Sequence, residues 1–166
     1  MSDSGSKPYL SKSRLISAWQ CPKKLYLEKN KPEAGETSSA TESLFATGDQ
    51  VGEIAKDLYG NERSIEIEYE SGLANAIKET SRLIESGFRE PIFEATFQHD
   101  GVLVRVDVLI PAEQGWHAVE VKASTSVKPN HRIDCAIQYW VMKGVGLPLD
   151  SISLAFVDNQ FVYAGN

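Results

Sequence analysis

The strongest constraint on the fold is the run 102–110, in which every second residue is a valine or an isoleucine. Strand side chains alternate between the two faces of a sheet, so this run predicts a β-strand with one continuous apolar face. Two other β-rich runs, 92–98 and 116–122, flank it, and turn residues separate all three. We therefore predict a three-stranded meander.

Helical spacing dominates most of the remaining chain. Apolar residues recur at helical intervals within 13–19, 22–27, 44–58, 73–85 and 130–143. In the last of these helices, residues 133, 136, 137, 140 and 141 form one apolar face. β-rich segments at 65–70, 151–157 and 161–163 predict an edge strand and a closing hairpin. This order predicts an α/β fold, with a mixed central β-sheet flanked by helices and an N-terminal helical segment.

Length and composition narrow the class of protein. The chain has 166 residues, of which 42% are hydrophobic and 24% charged, so we predict one globular domain. The polar residues 1–10 are expected to be a disordered N-terminus, which leaves 11–166 as the domain. Because no apolar run could span a bilayer and no signal sequence is evident, we expect no membrane association and a cytoplasmic location. Cys21 and Cys135 are expected to be free thiols.

The net charge is −6, but basic residues concentrate near the start of the chain. Residues 7–31 contain seven Lys or Arg and one Glu, whereas residues 33–70 contain ten Asp or Glu and two basic residues. DNA could bind the first segment through phosphate contacts and base stacking; the candidate residues are Lys12, Arg14, Lys23, Lys24 and Tyr26. A solvated helix face explains these charges equally well. In the same segment, Trp19 is expected to pack in the core.

The meander also brings charged residues together. If the valines of 116–122 are buried beside the valine face of 102–110, then Asp107, Glu120 and Lys122 share the opposite face. This arrangement requires an antiparallel register that pairs Asp107 with Glu120, and hence a six-residue connection or a bulge. Glu94, on the preceding strand, adds a third acid.

Adjacent carboxylates repel each other and need a compensating cation. Mg²⁺ prefers oxygen ligands and commonly combines one or two carboxylates with phosphate oxygens of a substrate. A centre with Mg²⁺ or Mn²⁺ would activate water for hydrolysis of a phosphodiester, and Lys122 would position the nucleophile or stabilise the transition state. Alternatively, Arg105 and Lys122 pair with Asp107 and Glu120 in a structural lattice of salt bridges.

Val106-Asp107, followed by Glu120-Val121-Lys122, resembles the PD-(D/E)XK nuclease motif with valine in place of the proline. The wider resemblance is to RecB-like nucleases, in particular the N-terminal region of an uncharacterised bacterial RecB-like family; the matching segments are Leu10 to Arg14, Cys21 to Leu27, Phe45 to Glu53, Phe93 to Ala95, Glu120 to Lys128 and Ala136 to Gln138. The resemblance implies a restriction-endonuclease-like αβββαβ core and a metal-dependent DNA nuclease. Because family members are longer, this chain is expected to be a stand-alone version or a fragment.

The resemblance also implies a role for each matched residue. The implied metal ligands are Asp107, Glu120, Glu94 and the carbonyl of Val121, and the implied catalytic residues also include Lys122 and Gln138. Gly52, however, stands where RecB-like nucleases usually have a metal-binding histidine. The alternative is therefore a weak or inactive nucleic-acid-binding module derived from such a nuclease.

Two further expectations complete the analysis. The CRISPR-associated relatives bind an iron–sulfur cluster through four cysteines, and only Cys21 has a counterpart here, so no cluster is expected. A hydrolase acting on sugars, with Glu94 and Glu120 as its acid and base, is an alternative that needs no metal. Such an enzyme would leave Lys122 without a role.

Overall fold

The computed structural model describes residues 9–32 and 39–162, and there it forms an α/β fold in which helices flank a six-stranded mixed sheet. The predicted fold class is confirmed at this level. The elements are β1 (Leu10–Ser11), α1 (Lys12–Gln20), α2 (Pro22–Asn30), α3 (Ser39–Tyr59), β2 (Ile65–Glu66), α4 (Leu73–Glu85), β3 (Ile92–His99), β4 (Val102–Ala112), β5 (Gly115–Lys122), α5 (Pro129–Gly144) and β6 (Leu149–Phe156). Residues 1–8 of the predicted disordered segment lie outside the described residues, and β1 begins one residue before the expected domain start.

Local sequence explains the two short helices near the start of the chain. The Ser11 hydroxyl accepts a hydrogen bond from the Arg14 amide (3.4 Å) and caps α1. Cys21 is extended (φ −165°, ψ 114°), because the proline that follows it disfavours helical backbone. Pro22 then takes the first position of α2, where its missing N–H is not needed. The predicted break at Pro22 is confirmed.

The strands lie in the order β2-β3-β4-β5-β6, with β1 beside the start of β4. The meander β3–β4–β5 is antiparallel, whereas β1 with β4, β2 with β3, and β5 with β6 are parallel pairs. Asp100 and Gly101 join β3 to β4, and both have positive φ (46° and 77°), as a type I′ turn requires. The helix α5 provides the crossover between the parallel strands β5 and β6.

Three strand predictions need correction. The strand expected at 65–70 is reduced to β2. The connection between β4 and β5 is the two-residue turn 113–114 rather than a six-residue loop, because the ladder continues to Ala112 and Gly115. The predicted closing hairpin is wrong for the residues that the structure describes, since β6 pairs with β5 and Phe161 and Val162 form no strand; Tyr163 lies outside them.

Two apolar clusters fill the spaces between the sheet and its helices. The larger packs α4 and α5 against the sheet, and the smaller packs α3 against it. The predicted continuous valine face of β4 is wrong, because Val104 and Val106 belong to the larger cluster and Val108 to the smaller. The change occurs opposite Glu94, whose backbone is left-handed (φ 57°) and interrupts the alternation of the two strands.

Candidate functional site

The register of the meander places Asp107 opposite Glu120. The ladder between β4 and β5 ends at the pair Val108 with Val119, and Asp107 and Glu120 are the next residues of the two strands in the same register. One carboxylate oxygen of Asp107, Oδ2, accepts a hydrogen bond from the amide of Val121 (2.6 Å). The predicted antiparallel register is therefore confirmed, and it fixes Asp107 against the strand that carries Glu120 and Lys122.

Glu94 approaches Asp107 from the other neighbouring strand. The pairs Phe93 with Val108 and Ala95 with Val106 bracket Glu94 and Asp107, which the ladder leaves unpaired. Left-handed backbone at a residue other than glycine costs about 1–3 kcal/mol and is concentrated at functional sites. The Glu94 carboxylate forms an ion pair with the guanidinium of Arg105 (3.0 Å). Arg105 therefore pairs with Glu94, and not with Asp107 as the alternative of a salt-bridge lattice predicted.

Glu120 is buried, with 1% of its side chain exposed, and it receives four N–H contacts. The ammonium Nζ of Lys12 lies 3.0 Å from Oε1 and 3.0 Å from Oε2. The ammonium of Lys122 also donates to Oε1, and the amide nitrogen of Gln138 donates to Oε2. Lys122 therefore pairs with Glu120, as the alternative of a salt-bridge lattice predicted, and Lys12 from the start of the chain pairs with it as well.

Asp134, a residue that the sequence patterns do not point to, shares these donors. Its Oδ1 lies 2.9 Å from Nζ of Lys12 and 3.2 Å from the amide nitrogen of Gln138, and its Oδ2 lies 2.9 Å from Nζ of Lys122. Five side chains therefore form one buried polar cluster, which we call the carboxylate cluster: Lys12, Glu120, Lys122, Asp134 and Gln138.

The helix α5 turns a different face inward from the one predicted. Its buried residues are His131, Asp134, Gln138, Val141 and Met142. Four of the five residues predicted as its apolar face line a shallow groove beside α1 instead: Ile133, Ala136, Ile137 and Trp140, which is 44% exposed. The fifth, Val141, is buried as predicted. Apolar spacing could not detect this orientation, because Lys12 and Lys122 make burial of polar residues favourable. The signal that could have found it is the spacing of Asp134 and Gln138, one helical turn apart.

Burial and the two lysines control protonation in the cluster. Burial favours the neutral acid and raises the pKa of both Asp107 and Glu120. Burial has the same effect at Asp134, but the ammonium groups of Lys12 and Lys122 outweigh it and lower the pKa of Asp134 to about 2. Although burial opposes their charge, the facing carboxylates raise the pKa of both lysines.

A cleft of about 650 Å³ lies between α3 and the sheet, beside the carboxylate cluster. Its charged lining residues are Asp49, Glu53, Lys56, Glu94, Asp107 and Lys122. Gly52 of α3 also lines the cleft, and a β-carbon at this position would meet no atom within 4 Å. The cleft therefore has room for a side chain at the position where the resemblance implies a histidine.

The donor chemistry of the cleft fits a divalent cation, because Asp107 and Glu94 supply the oxygen ligands that Mg²⁺ and Mn²⁺ prefer. As the side chains stand, no three His, Cys, Asp or Glu residues within 9–32 and 39–162 are grouped to hold a metal ion. Both oxygens of Glu120 already contact ammonium groups. A metal can therefore bind Glu120 only by replacing one of these contacts.

The other predicted DNA contacts lie apart from the cluster. Arg14, Lys23, Lys24 and Tyr26 are exposed on α1 and α2, whereas only 19% of the Lys12 side chain is exposed. Trp19 is 76% exposed, so its predicted core position is wrong.

The two cysteines carry free thiols: Cys21 is exposed and Cys135 is half-buried. None of the helices in the described part of the chain is long and apolar enough to cross a membrane. No protein-family model matches the chain, and no curated protein matches it significantly.

Proposed function

We propose that this chain is a PD-(D/E)XK nuclease of RecB-like type, which hydrolyses DNA phosphodiester bonds with Mg²⁺ or Mn²⁺. The observation that carries the proposal is the register of β4 and β5, which brings Asp107 next to Glu120 on the neighbouring strand, with Lys122 two residues after Glu120. The antiparallel meander, followed by α5 and the parallel strand β6, supports a restriction-endonuclease-like core. The strained backbone at Glu94 supports a functional role for the same place in the sheet.

A bound divalent metal would activate water and neutralise charge that develops on the phosphate. Asp107, Glu120 and the carbonyl of Val121 would hold it, with Glu94 on the adjacent strand. Lys122, which lines the cleft, would orient the nucleophile and stabilise the negative charge of the pentacoordinate transition state. Gln138 donates to Glu120 and so fixes the orientation of that carboxylate.

Electrostatics also makes DNA binding dependent on the cation. The cleft is lined by four carboxylates, Asp49, Glu53, Glu94 and Asp107, and by two lysines, Lys56 and Lys122. The excess of negative charge repels a phosphate until a cation binds. The exposed basic residues Lys23 and Lys24 on α2 would contact the DNA backbone outside the cleft. Both cleavage and close approach of the strand should therefore require the metal.

The test is cleavage of end-labelled DNA with Mn²⁺, with Mg²⁺ and with EDTA. We expect cleavage only with a divalent cation, and a loss of about 100-fold or more in each of Asp107→Asn, Glu120→Gln and Lys122→Met. Lys78→Met, an exposed substitution on α4, is the matched control and should retain activity. Circular dichroism of each variant checks that the fold is retained.

Equal cleavage by the wild type and the Asp107, Glu120 and Lys122 variants would indicate a contaminant and contradict the proposal. The ion pairs at Glu120 favour one second candidate, a binding module without catalysis. DNA binding without cleavage in Mn²⁺ would identify that module. Hydrolysis of glycosides in EDTA would instead identify the carboxylate-pair hydrolase.

A further inference from the structure

Lys12 occupies the position of a cation within the carboxylate cluster. Its Nζ lies 3.0 Å from each oxygen of Glu120 and 2.9 Å from Oδ1 of Asp134. We propose that Lys12 is a positioning residue that acts as an internal cation: it holds Glu120 and Asp134 together while the centre lacks a divalent metal, and it withdraws from Glu120 when a metal binds. This inference rests on the proposed metal-dependent function.

The number of contacts at Glu120 requires such an exchange. A carboxylate offers about four lone-pair positions for donors or metals. Glu120 already receives two contacts from Lys12, one from Lys122 and one from Gln138. A metal that binds Glu120 must therefore displace a donor, and Lys12 accounts for two of the four contacts.

The charge balance favours withdrawal of Lys12. Counted at their formal charges, Asp107, Glu120 and Asp134 contribute three negative charges, and Lys12 and Lys122 contribute two positive charges, which leaves −1. A divalent cation changes this total to +1 if Lys12 stays and to 0 if Lys12 leaves. Because the centre is largely buried, the neutral arrangement is the more stable one.

The other two donors are less able to move away from Glu120. Gln138 is fully buried on α5 and also donates to Asp134 (3.2 Å). Lys122 extends from the central strand β5, and the proposed reaction needs it in the cleft. Lys12 follows the two-residue strand β1, reaches the cluster on a flexible side chain and is 19% exposed. Its ammonium can therefore move to water while Lys122 continues to pair with Asp134.

The experiment compares Mn²⁺ binding to the wild type, Lys12→Met and the matched control Lys78→Met by isothermal titration calorimetry. Melting temperatures in EDTA and in Mn²⁺ are measured on the same proteins. We expect Lys12→Met to melt lower in EDTA, to bind Mn²⁺ about tenfold tighter than the wild type, and to gain more stability from Mn²⁺. A purely structural role for Lys12 would not increase the affinity for a metal. The control should match the wild type.

The outcomes separate this inference from the proposed function. Mn²⁺ binding to the wild type, with equal or weaker binding to Lys12→Met, would overturn the role of Lys12 and leave the proposed function intact. Binding to Lys12→Met alone would support that role and contradict metal-dependent activity of the native chain. Binding to neither protein would overturn both.

A second variant covers the case in which Lys12→Met does not fold. Lys12→Arg keeps the positive charge and can contact both oxygens of Glu120 through a planar fork. Because this contact is harder to displace, we expect Lys12→Arg to bind Mn²⁺ more weakly than the wild type. An affinity equal to or higher than that of the wild type would overturn the inference.

Discussion

Replacement of Asp134 with asparagine should destabilise the chain at neutral pH, because the carboxylate is ionised and paired in the folded state. An unperturbed aspartate has a pKa of 3.8, and the ammonium groups of Lys12 and Lys122 outweigh burial to lower the pKa of Asp134 to about 2. This difference corresponds to about 2 kcal/mol of unfolding free energy. For a chain of this length, the melting temperature should fall by about 4–8 °C.

The pH dependence identifies the source of this stability. A carboxyl group with a lowered pKa in the folded state stabilises the fold above its unfolded pKa and loses that effect as the pH falls through its folded pKa. The stability difference between the wild type and Asp134→Asn should therefore be constant from pH 7 to about pH 5. It should then shrink between about pH 4 and pH 2. Urea denaturation followed by circular dichroism at each pH measures this difference.

The matched control is Glu79→Gln on α4, which removes the exposed ion pair with Arg82 (2.6 Å). Exposed pairs contribute little, so this variant should change stability less than Asp134→Asn at pH 7. A difference between the wild type and Asp134→Asn that persists unchanged down to pH 2 would refute the electrostatic explanation. Equal stability of the two proteins at pH 7 would refute it as well.

Two further predictions concern the cleft and the thiols. Gly52→His should bind Mn²⁺ about tenfold tighter than Gly52→Ala by calorimetry, because position 52 lines the cleft and has open space; equal affinities would place the imidazole away from the metal. Burial, with Glu120 and Asp134 nearby, raises the pKa of Cys135 to about 11, so iodoacetamide at pH 8 should modify exposed Cys21 at least about tenfold faster. Peptide mass spectrometry measures both rates, and equal rates would contradict this explanation.

Local patterns in the sequence were sufficient to predict the strands at the centre of the sheet and the way they pair. Alternation in 102–110 and the turn at Asp100-Gly101 predict an antiparallel meander, and its predicted register is confirmed. The apolar match behind that register holds for Val108, which packs with Val119, but not for Val104 and Val106 in the other cluster. The alternation predicted for 102–110 breaks between Val106 and Val108, next to the left-handed backbone of Glu94 on the neighbouring strand. Alternation assumes regular strands, and a single left-handed residue removes that assumption.

The rest of the site depends on contacts between distant parts of the chain. Lys12 lies 108 positions before Glu120, and its charge suggested a surface contact until the fold placed it among buried acids. Apolar spacing does not point to Asp134, and Gln138 is selected through the resemblance and its place beside the apolar face of α5. The structure buries both residues. A buried polar face is favourable only when its partners are in place, and those partners belong to α1 and β5.

The break in alternation at Glu94 and Asp107 explains how carboxylates of one sheet lie both in an open cleft and in a buried cluster. Asp107 and Glu94 line the open cleft beside α3, whereas Glu120 is sealed among donors from α1 and α5. If β4 had remained regular, Val108 would have stayed with Val104 and Val106 in the larger cluster, and the cleft would have lost the packing that supports its wall. The strain at Glu94 therefore places accessible carboxylates within electrostatic reach of a buried one. The proposed exchange of the Lys12 ammonium for a divalent metal needs both: accessible carboxylates that the metal can reach, and a buried carboxylate that Lys12 can hold.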